Sequence, residues 1–205
     1  MNKTKNKPIK ERISNRQRSR KTSAQLIVIA KELFSTRGYS DTSQEEIVRQ
    51  AGMTRGALYH HFDGKKGLFL AVFENALTEI ASRVIQAEKK NCTAWDNFIS
   101  CTYEFFAACL NSDLQRIVLI DAPAVLGWDV WRQVDQSKTL DILKSHLKEL
   151  LDSEIIRPIP LEPLTHFISG AVNESVLWIS GSDDPKKAFD ESWPAVESIL
   201  SSLKK

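Results

Sequence analysis

A short stretch near the amino end of the chain carries side chains that can bind DNA. They are hydrogen-bond donors with a glycine among them, namely Thr54, Arg55, Gly56, Tyr59 and His60. A helix that enters the major groove needs small residues at its leading end and donors that reach base edges and phosphates. Arg55 fits a bidentate contact to guanine, which discriminates between bases by about 1–3 kcal/mol. A contact of Arg55 to phosphate alone stays open as an alternative.

Three more residues are candidates for binding phosphate at helix amino termini, and they are Thr42, Ser43 and Lys65. Free backbone N–H groups and the helix dipole favour an anion at such positions. For Ser43, capping of a helix is a sufficient alternative explanation.

Other chemistry is not indicated by the motifs of the chain. The sequence has no nucleophile elbow, Walker loop, HExxH or dinucleotide-binding motif, so we expect no enzymatic activity. His60 and His61 are adjacent and point to different sides of a helix, with no third ligand near. Cys92, Cys101 and Cys109 form no CxxC pair, and we interpret Cys101 and Cys109 as buried apolar residues rather than redox sensors. We therefore expect neither a metal nor a cofactor.

Apolar periodicity places the DNA-binding candidates on a set of three helices. The first helix has one apolar stripe, made of Leu26, Ile29, Ala30, Leu33 and Phe34. Ser43 and Glu46 have the spacing of a capping box at the start of a second helix. Thr54 caps a third helix that buries Leu58. Residues 43–62 therefore read as a helix-turn-helix, with the first helix completing a small core.

Charge is divided unevenly along the chain. Residues 1–67 carry 15 Lys and Arg against 6 Asp and Glu, whereas residues 68–205 carry 13 against 20. Such asymmetry indicates a polyanionic partner for the basic part. Residues 1–21 hold nine basic side chains and one acidic one, which predicts a flexible basic arm, with a merely solubilising tail as the alternative. A membrane partner is disfavoured because this arm lacks an apolar face.

The segment AGMTRGALYHHF at residues 51–62 resembles the TetR family of bacterial transcriptional regulators. The helix before it and the pair Lys65 and Leu68 after it extend the resemblance to residues 22–82. The resemblance implies a homeodomain-like helix-turn-helix unit, a phosphate contact for Tyr59, and pairing of the last two helices between two copies of the chain. Helix packing is the alternative for Tyr59.

Three residues depart from the family pattern, and they are Val48, Lys66 and Gly67. None of them occupies a position that the resemblance assigns to DNA. Gly67 should weaken the start of the fourth helix by up to about 1 kcal/mol relative to alanine.

The remainder of the chain predicts further helices and no sheet. Its 205 residues, 42% of them apolar, suffice for a sizeable core without cross-links. The expected helices lie near residues 65–89, 94–110, 113–121, 123–154, 161–181 and 185–204. We expect an all-α chain with an arm at 1–21, a DNA-binding domain at 22–82 and a helical effector-binding and dimerisation domain at 83–205.

Two sets of residues in the carboxy-terminal domain are candidates for binding. Large aromatic residues and the polar residues of the penultimate helix suggest a ligand pocket, lined by Phe98, Phe105, Trp128, Trp131, His166, Asn173 and Glu174. An ordinary helical core, a partner helix or trapped water are the alternatives for these residues. Small residues and an apolar stripe on the last two helices suggest a dimer interface, formed by Gly170, Ala171, Phe189, Trp193, Val196, Leu200 and Leu203.

Together these patterns predict a homodimeric regulator that binds a pseudo-palindromic DNA operator. We expect a repressor in the bacterial cytosol that a small-molecule effector releases from DNA by a population shift. A ligand-independent regulator, an activator, and an enzyme fused to a DNA-binding unit are the alternatives.

Overall fold

The computed structural model describes residues 9–110 and 112–205. Every regular element in these residues is helical, so the all-α prediction is confirmed. Within the same residues, no helix combines the length and the apolar character that crossing a bilayer requires. The helices are α1 (Ile9–Arg37), α2 (Gln44–Gln50), α3 (Arg55–Phe62), α4 (Lys65–Ala87), α5 (Ala94–Cys109), α6 (Ser112–Gln115), α7 (Ala122–Leu126), α8 (Trp128–Asp135), α9 (Asp141–Asp152), α10 (Leu161–Ser180) and α11 (Pro185–Ser201).

The chain divides into two compact units, Met1–Val72 and Phe73–Lys205. The division falls inside α4, ten residues before the predicted boundary between residues 82 and 83. The first unit therefore consists of α1 to α3 and the opening turns of α4. The second unit begins within the same helix.

The first unit has a core built from apolar residues of all four of its helices. Phe34 of α1 and Phe69 of α4 are fully buried and meet edge to face, with ring centroids 5.1 Å apart. Tyr39 packs on Phe69 from the loop after α1, at 5.0 Å. The loop starts at Gly38, whose φ of 86° ends α1 in the left-handed region that favours glycine.

The structure differs from the predicted flexible arm over residues 9–21, which are helical. Residues 9–21 belong to α1, and residues 1–8 lie outside the described residues. The composition is charged, which favoured an irregular chain, but Lys, Arg, Glu and Gln are good helix formers and no Pro or Gly occurs in 9–21. Helix α1 therefore extends toward the amino end beyond the apolar stripe that defined it in the sequence.

The second unit contains α5 to α11 and the end of α4. Two π-helical segments, Arg116–Asp121 and Gln136–Leu140, connect α6 to α7 and α8 to α9. The prediction of one helix over 123–154 is wrong, because Gly127 interrupts it with a φ of 90°. The predicted loop near 155–159 is irregular, with one antiparallel bridge between Ile156 and Lys204.

Gly67 has a packing role that helix propensity alone does not reveal. A Cβ added at Gly67 would lie 1.6 Å from the carbonyl oxygen of Phe62. The backbone of α4 therefore passes so close to the end of α3 that only glycine fits. The expectation that alanine would be the better residue here is wrong, because a steric clash outweighs a propensity gain of up to about 1 kcal/mol.

We predict that Gly67→Ala lowers the free energy of unfolding by about 1–3 kcal/mol, the usual cost of overpacking. Gly56→Ala is the matched control, because a Cβ at Gly56 would meet only Thr54 Oγ1, at 3.8 Å. The control should be neutral or stabilising by up to about 1 kcal/mol. Urea unfolding of the two variants measures both values. Equal stability of the two variants would contradict the close approach.

Candidate nucleic-acid interface and ligand cavity

The helix-turn-helix is held by caps at both of its short helices. Ser43 Oγ accepts a hydrogen bond from the backbone N–H of Glu46 at 3.1 Å, and Thr54 Oγ1 accepts from Ala57 at 3.2 Å. Both cap residues have extended backbone, as helix caps require. The carboxylate of Glu46 accepts a hydrogen bond from Arg37 of α1 at 2.7 Å. It therefore links α2 to α1 and does not form the second hydrogen bond of a capping box.

One face of α3 is open to solvent. Leu58 is fully buried on the opposite face and fixes the rotation of the helix. The exposed residues are those predicted to face DNA, namely Thr54, Arg55, Gly56, Tyr59 and His60. Tyr59 is 48% exposed, which favours a surface contact over the packing role that was its alternative.

Arg55 forms an ion pair with Glu45 of α2, with 3.2 Å between its Nη1 and the carboxylate oxygen Oε1. Both side chains are more than half exposed. Exposed pairs of this kind contribute about 0–1 kcal/mol, so the pair leaves Arg55 free to exchange partners.

The candidate phosphate ligands separate into two that are accessible and one that is not. Ser43 is exposed, and Lys65 is half-buried with its Nζ 4.1 Å from the centre of the Tyr39 ring. Thr42 is only 1% exposed, and its hydroxyl donates to the carbonyl of Gly38 at 2.8 Å. Its prediction as a phosphate ligand needs correction, because this hydroxyl ties the loop to α1 inside the unit.

His60 and His61 have different surroundings. His61 Nδ1 lies 3.1 Å from Ser23 Oγ and joins α3 to α1, whereas His60 is exposed. The two side chains point to different sides of the helix, as adjacent residues must. His60 thus remains the candidate for a groove contact.

The second unit contains a cavity that is open to solvent, with about 500 Å³ of empty space including the solvent at its mouth. Helices α5, α9 and α10 each contribute three residues with the spacing i, i+1 and i+4. Most of the lining is apolar, and each of these helices adds one residue able to form hydrogen bonds: Thr102, His146 and Ser169. The full lining is Val84, Cys101, Thr102, Phe105, Thr139, Leu140, Ile142, Leu143, His146, Ile168, Ser169 and Val172.

Phe105 is the one predicted ligand residue among those that line this cavity. Phe98 is fully buried beside Trp95, and Trp131 donates through Nε1 to the carbonyl of Val118 at 2.8 Å. Trp128 is 60% exposed and stacks on Trp131. Phe98 and Trp131 therefore belong to the helical core, which was their alternative, whereas Trp128 lies at the surface against Trp131.

The polar candidates on α10 also lie away from the cavity. His166 and Glu174 are exposed. Asn173 is half-buried, and its Oδ1 is buried without a hydrogen-bond partner. The prediction assumed that this face of α10 is turned inward, whereas the structure turns the neighbouring face, with Ser169, toward the cavity.

Two buried hydroxyls of the cavity lining, those of Thr102 and Thr139, donate hydrogen bonds within the chain. Thr102 donates to the carbonyl of Phe98 at 2.7 Å, and Thr139 donates to the carboxylate of Asp135 at 2.6 Å. Burial raises the pKa of Asp135, while this hydroxyl and Arg132 act in the opposite direction. His146 Nε2 lies 3.1 Å from the Glu88 carboxylate at the end of α4.

The cysteines of α5 are buried, as the sequence predicted. Burial, together with the nearby Glu88 carboxylate, raises the pKa of Cys101 to about 11. Burial also raises the pKa of Cys109 strongly. Both are neutral thiols at physiological pH, which argues against spontaneous redox sensing. Cys92 is exposed.

Helices α10 and α11 together present an apolar groove at the surface of the second unit. Four of the predicted interface residues line it, namely Ala171, Val196, Leu200 and Leu203. Phe167 and Ile199 also line this groove, although the sequence patterns did not indicate them, and they are 69% and 62% exposed. Their exposure in the structure, rather than a sequence signal, marks them as candidates for an interface.

The other predicted interface residues differ among themselves. Gly170 is exposed on α10, where a close approach is possible. Phe189 and Trp193 pack against α5, with Phe189 stacked on Phe106 at 5.4 Å and Trp193 edge to face with Tyr103 at 4.8 Å. Their place in the interface needs correction, because they hold α11 to its own chain.

Two family models match this chain. The model for bacterial regulatory proteins of the tetR family matches residues 26–72, and the model for the tetracyclin repressor-like C-terminal domain matches residues 95–203. The helix-turn-helix and the larger helical unit thus each have a counterpart in one family. The chain belongs to the TetR family.

Individual relatives agree with this assignment. A crystal structure of a TetR-family regulator from Pectobacterium atrosepticum is 32% identical, covers 92% of this chain and 97% of that chain, and has a TM-score of 0.77. The HTH-type transcriptional regulator AcrR of Shigella flexneri is 36% identical over 37% of this chain and 35% of AcrR. The transposon Tn10 TetC protein of Escherichia coli is 22% identical over 71% of this chain and 73% of TetC. The match to AcrR therefore spans about a third of that protein.

We predict that Thr54→Ala destabilises α3, because the first-turn N–H of Ala57 loses its acceptor. Loss of such a cap lowers the free energy of unfolding by about 0.5–2 kcal/mol. Thr54→Ser keeps the hydroxyl and is the matched control. Urea unfolding measures both variants. A Thr54→Ala variant as stable as Thr54→Ser would show that the cap does not hold the helix.

Proposed function

We propose that the protein is a DNA-binding transcriptional regulator that uses α3 as its recognition helix. The observation that carries this proposal is the exposed face of α3, where donors and a glycine stand opposite the buried Leu58. Membership of the TetR family supports it. A regulator must reach the chromosome, so we also propose the bacterial cytosol as its location.

Each exposed residue has a role in this proposal. Arg55 reads guanine in the major groove, and Gly56 lets the helix backbone approach the bases. Thr54, Tyr59 and His60 contact base edges or backbone at the same face. Ser43 and Lys65 bind phosphates on either side and fix the position of the helix on the duplex.

The functional form in this proposal is a homodimer paired through α10 and α11. A short recognition helix reads only a few base pairs, so two copies about 34–36 Å apart are needed to read successive major grooves. The groove lined by Ala171 and Val196, with exposed Phe167 and Ile199, is the apolar surface that pairing would bury.

The cavity of the second unit is the proposed effector site. Its apolar lining, with few polar groups, is typical of small-molecule sites. An effector that binds better to a dimer unable to dock on DNA would release a repressor by population shift, with a coupling of about 1–3 kcal/mol. Because α4 runs without interruption from Lys65 to Ala87, its residues belong to both units.

Arg55→Ala and Lys65→Met distinguish base reading from phosphate binding. We predict that Arg55→Ala loses about 1–3 kcal/mol of preference for the operator over other sequences. Lys65→Met should weaken binding to all sequences alike and reduce the slope of log K against log salt by about one. Fluorescence anisotropy with upstream intergenic DNA and random duplex, over a salt series, measures both.

Lys186→Met, in the second unit, is the matched control and should leave both quantities unchanged. A uniform loss in Arg55→Ala would reassign this residue to the backbone of the DNA. If the wild-type protein prefers no duplex over random sequence, the proposed function is wrong.

The proposed dimer interface can be tested separately from DNA binding. Phe167→Glu places a charge on the proposed interface and should convert the dimer into a monomer, measured by light scattering over a dilution series. Val28→Glu is the matched control, because Val28 is 66% exposed and lies on α1. It should remain dimeric. A wild-type monomer, or a dimer unaffected by Phe167→Glu, would contradict pairing through this face.

A further inference from the structure

Three side chains at one wall of the cavity have donor atoms that converge. Glu88 follows the last residue of α4, Cys101 lies in the middle of α5, and His146 lies in the middle of α9. One ligand atom from each lies within 4.8 Å of the other two. Cys101 and His146 are buried, and Glu88 is exposed. In the part of the chain that the structure describes, no other such trio of His, Cys, Asp or Glu occurs.

We propose that Glu88, Cys101 and His146 form a binding site for a zinc ion. The Cys101 thiol would release its proton on binding the ion, and thiolate sulfur, imidazole nitrogen and carboxylate oxygen are the ligand types that zinc accepts together. The sulfur makes calcium and magnesium poor candidates, since these ions prefer sites made of oxygen. The site goes beyond the proposed function and departs from the sequence-based expectation of no metal.

The geometry is close to that of a tetrahedral site. Zinc bonds of about 2.0–2.3 Å place neighbouring ligand atoms about 3.3–3.7 Å apart. His146 Nε2 and Glu88 Oε1 are already 3.1 Å apart, and the sulfur is within 4.8 Å of both. Shortening the distances from the sulfur to the other two ligand atoms by about 1 Å is therefore sufficient to hold a zinc ion.

Of the three ligands, Glu88 is the most exposed and can adjust its position most easily. The Glu88 side chain is 44% exposed and lies just beyond a helix end, whereas the His146 side chain is 10% exposed. Cys101 is 3% exposed and donates to the carbonyl of Val84 at 3.4 Å. The packing of α5 and α9 thus fixes Cys101 and His146, and Glu88 reaches the ion from the surface.

Three protein ligands leave one tetrahedral position open. Cys101 and His146 both line the cavity, so this position is accessible from it. A water molecule or a donor atom of a small ligand would complete the site. The hydroxyls of Thr102 and Thr139, which also line the cavity, donate within the protein and do not compete for the ion.

Cobalt is the probe that reports thiolate ligation directly. The full chain, freed of metal by a chelator, is titrated with Co²⁺, and Zn²⁺ is then added to displace it. We expect one Co²⁺ per chain, with a thiolate-to-cobalt charge-transfer band and the strong visible absorption of four-coordinate cobalt. Zn²⁺ should abolish both signals at one equivalent.

Cys101→Ser should lose the charge-transfer band, and His146→Gln should weaken binding by about 100-fold or more. Cys109→Ser is the matched control, because it removes an equally buried thiol two turns along α5 and should keep the band. Glu88→Gln changes an exposed residue and should weaken binding by about 10-fold or more while the helix content stays unchanged.

Several outcomes would overturn the site. They are the absence of a charge-transfer band in the wild-type protein, its survival in Cys101→Ser, its loss in Cys109→Ser, and unchanged affinity in Glu88→Gln. Because the titration uses the metal alone and no DNA, its failure leaves the proposed function untouched. Failure of DNA binding would likewise not contradict the proposed metal site.

Discussion

The arrangement of the first unit depends on how an eight-residue helix is kept folded. Helices shorter than about 12–15 residues are marginal in water, so α3 cannot rely on its own hydrogen bonds. Burial of Leu58, the Thr54 cap and the contact of α4 with the end of α3 at Gly67 supply what is missing. All three act on one side or at the ends of the helix. The opposite side is thereby left open in a fixed orientation, which is what a recognition helix requires.

A different constraint governs the second unit. Its helices are apolar enough to bury one another, yet three of them place a polar residue at the same wall of one cavity. Buried polar groups need partners, and here Thr102 and Thr139 find theirs inside the chain. His146 finds only the partly exposed Glu88, beside a neutral thiol. The hydrogen bond between His146 and the partly exposed Glu88 is therefore one that a ligand could replace.

The exposed face of α3 could be predicted from the sequence because the pattern that defines it is local. Caps, an apolar position and exposed donors within 43–62 define it, and of the eight candidates only Thr42 is buried. The cavity depends instead on how α5, α9 and α10 are rotated against one another, which local patterns do not encode. Trp128 and Trp131 looked like ligand residues by type, but one is exposed and the other donates to a carbonyl. The π-helical segments around α8 also shift the register that simple periodicity assumes.

The ion pair between Arg55 and Glu45 shows how the free protein is prepared for exchange. In water the pair contributes about 0–1 kcal/mol, whereas a bidentate contact to guanine gives about 1–3 kcal/mol of discrimination. In the proposed complex with DNA, exchange would therefore be favourable at a guanine that Arg55 reads and close to neutral at another base. Glu45 also lies in the first turn of α2, where its charge is stabilised by the helix dipole after Arg55 leaves. Glu45 thus holds Arg55 in place without trapping it, and in the proposed complex the small cost of breaking the pair is offset only where Arg55 gains a base contact.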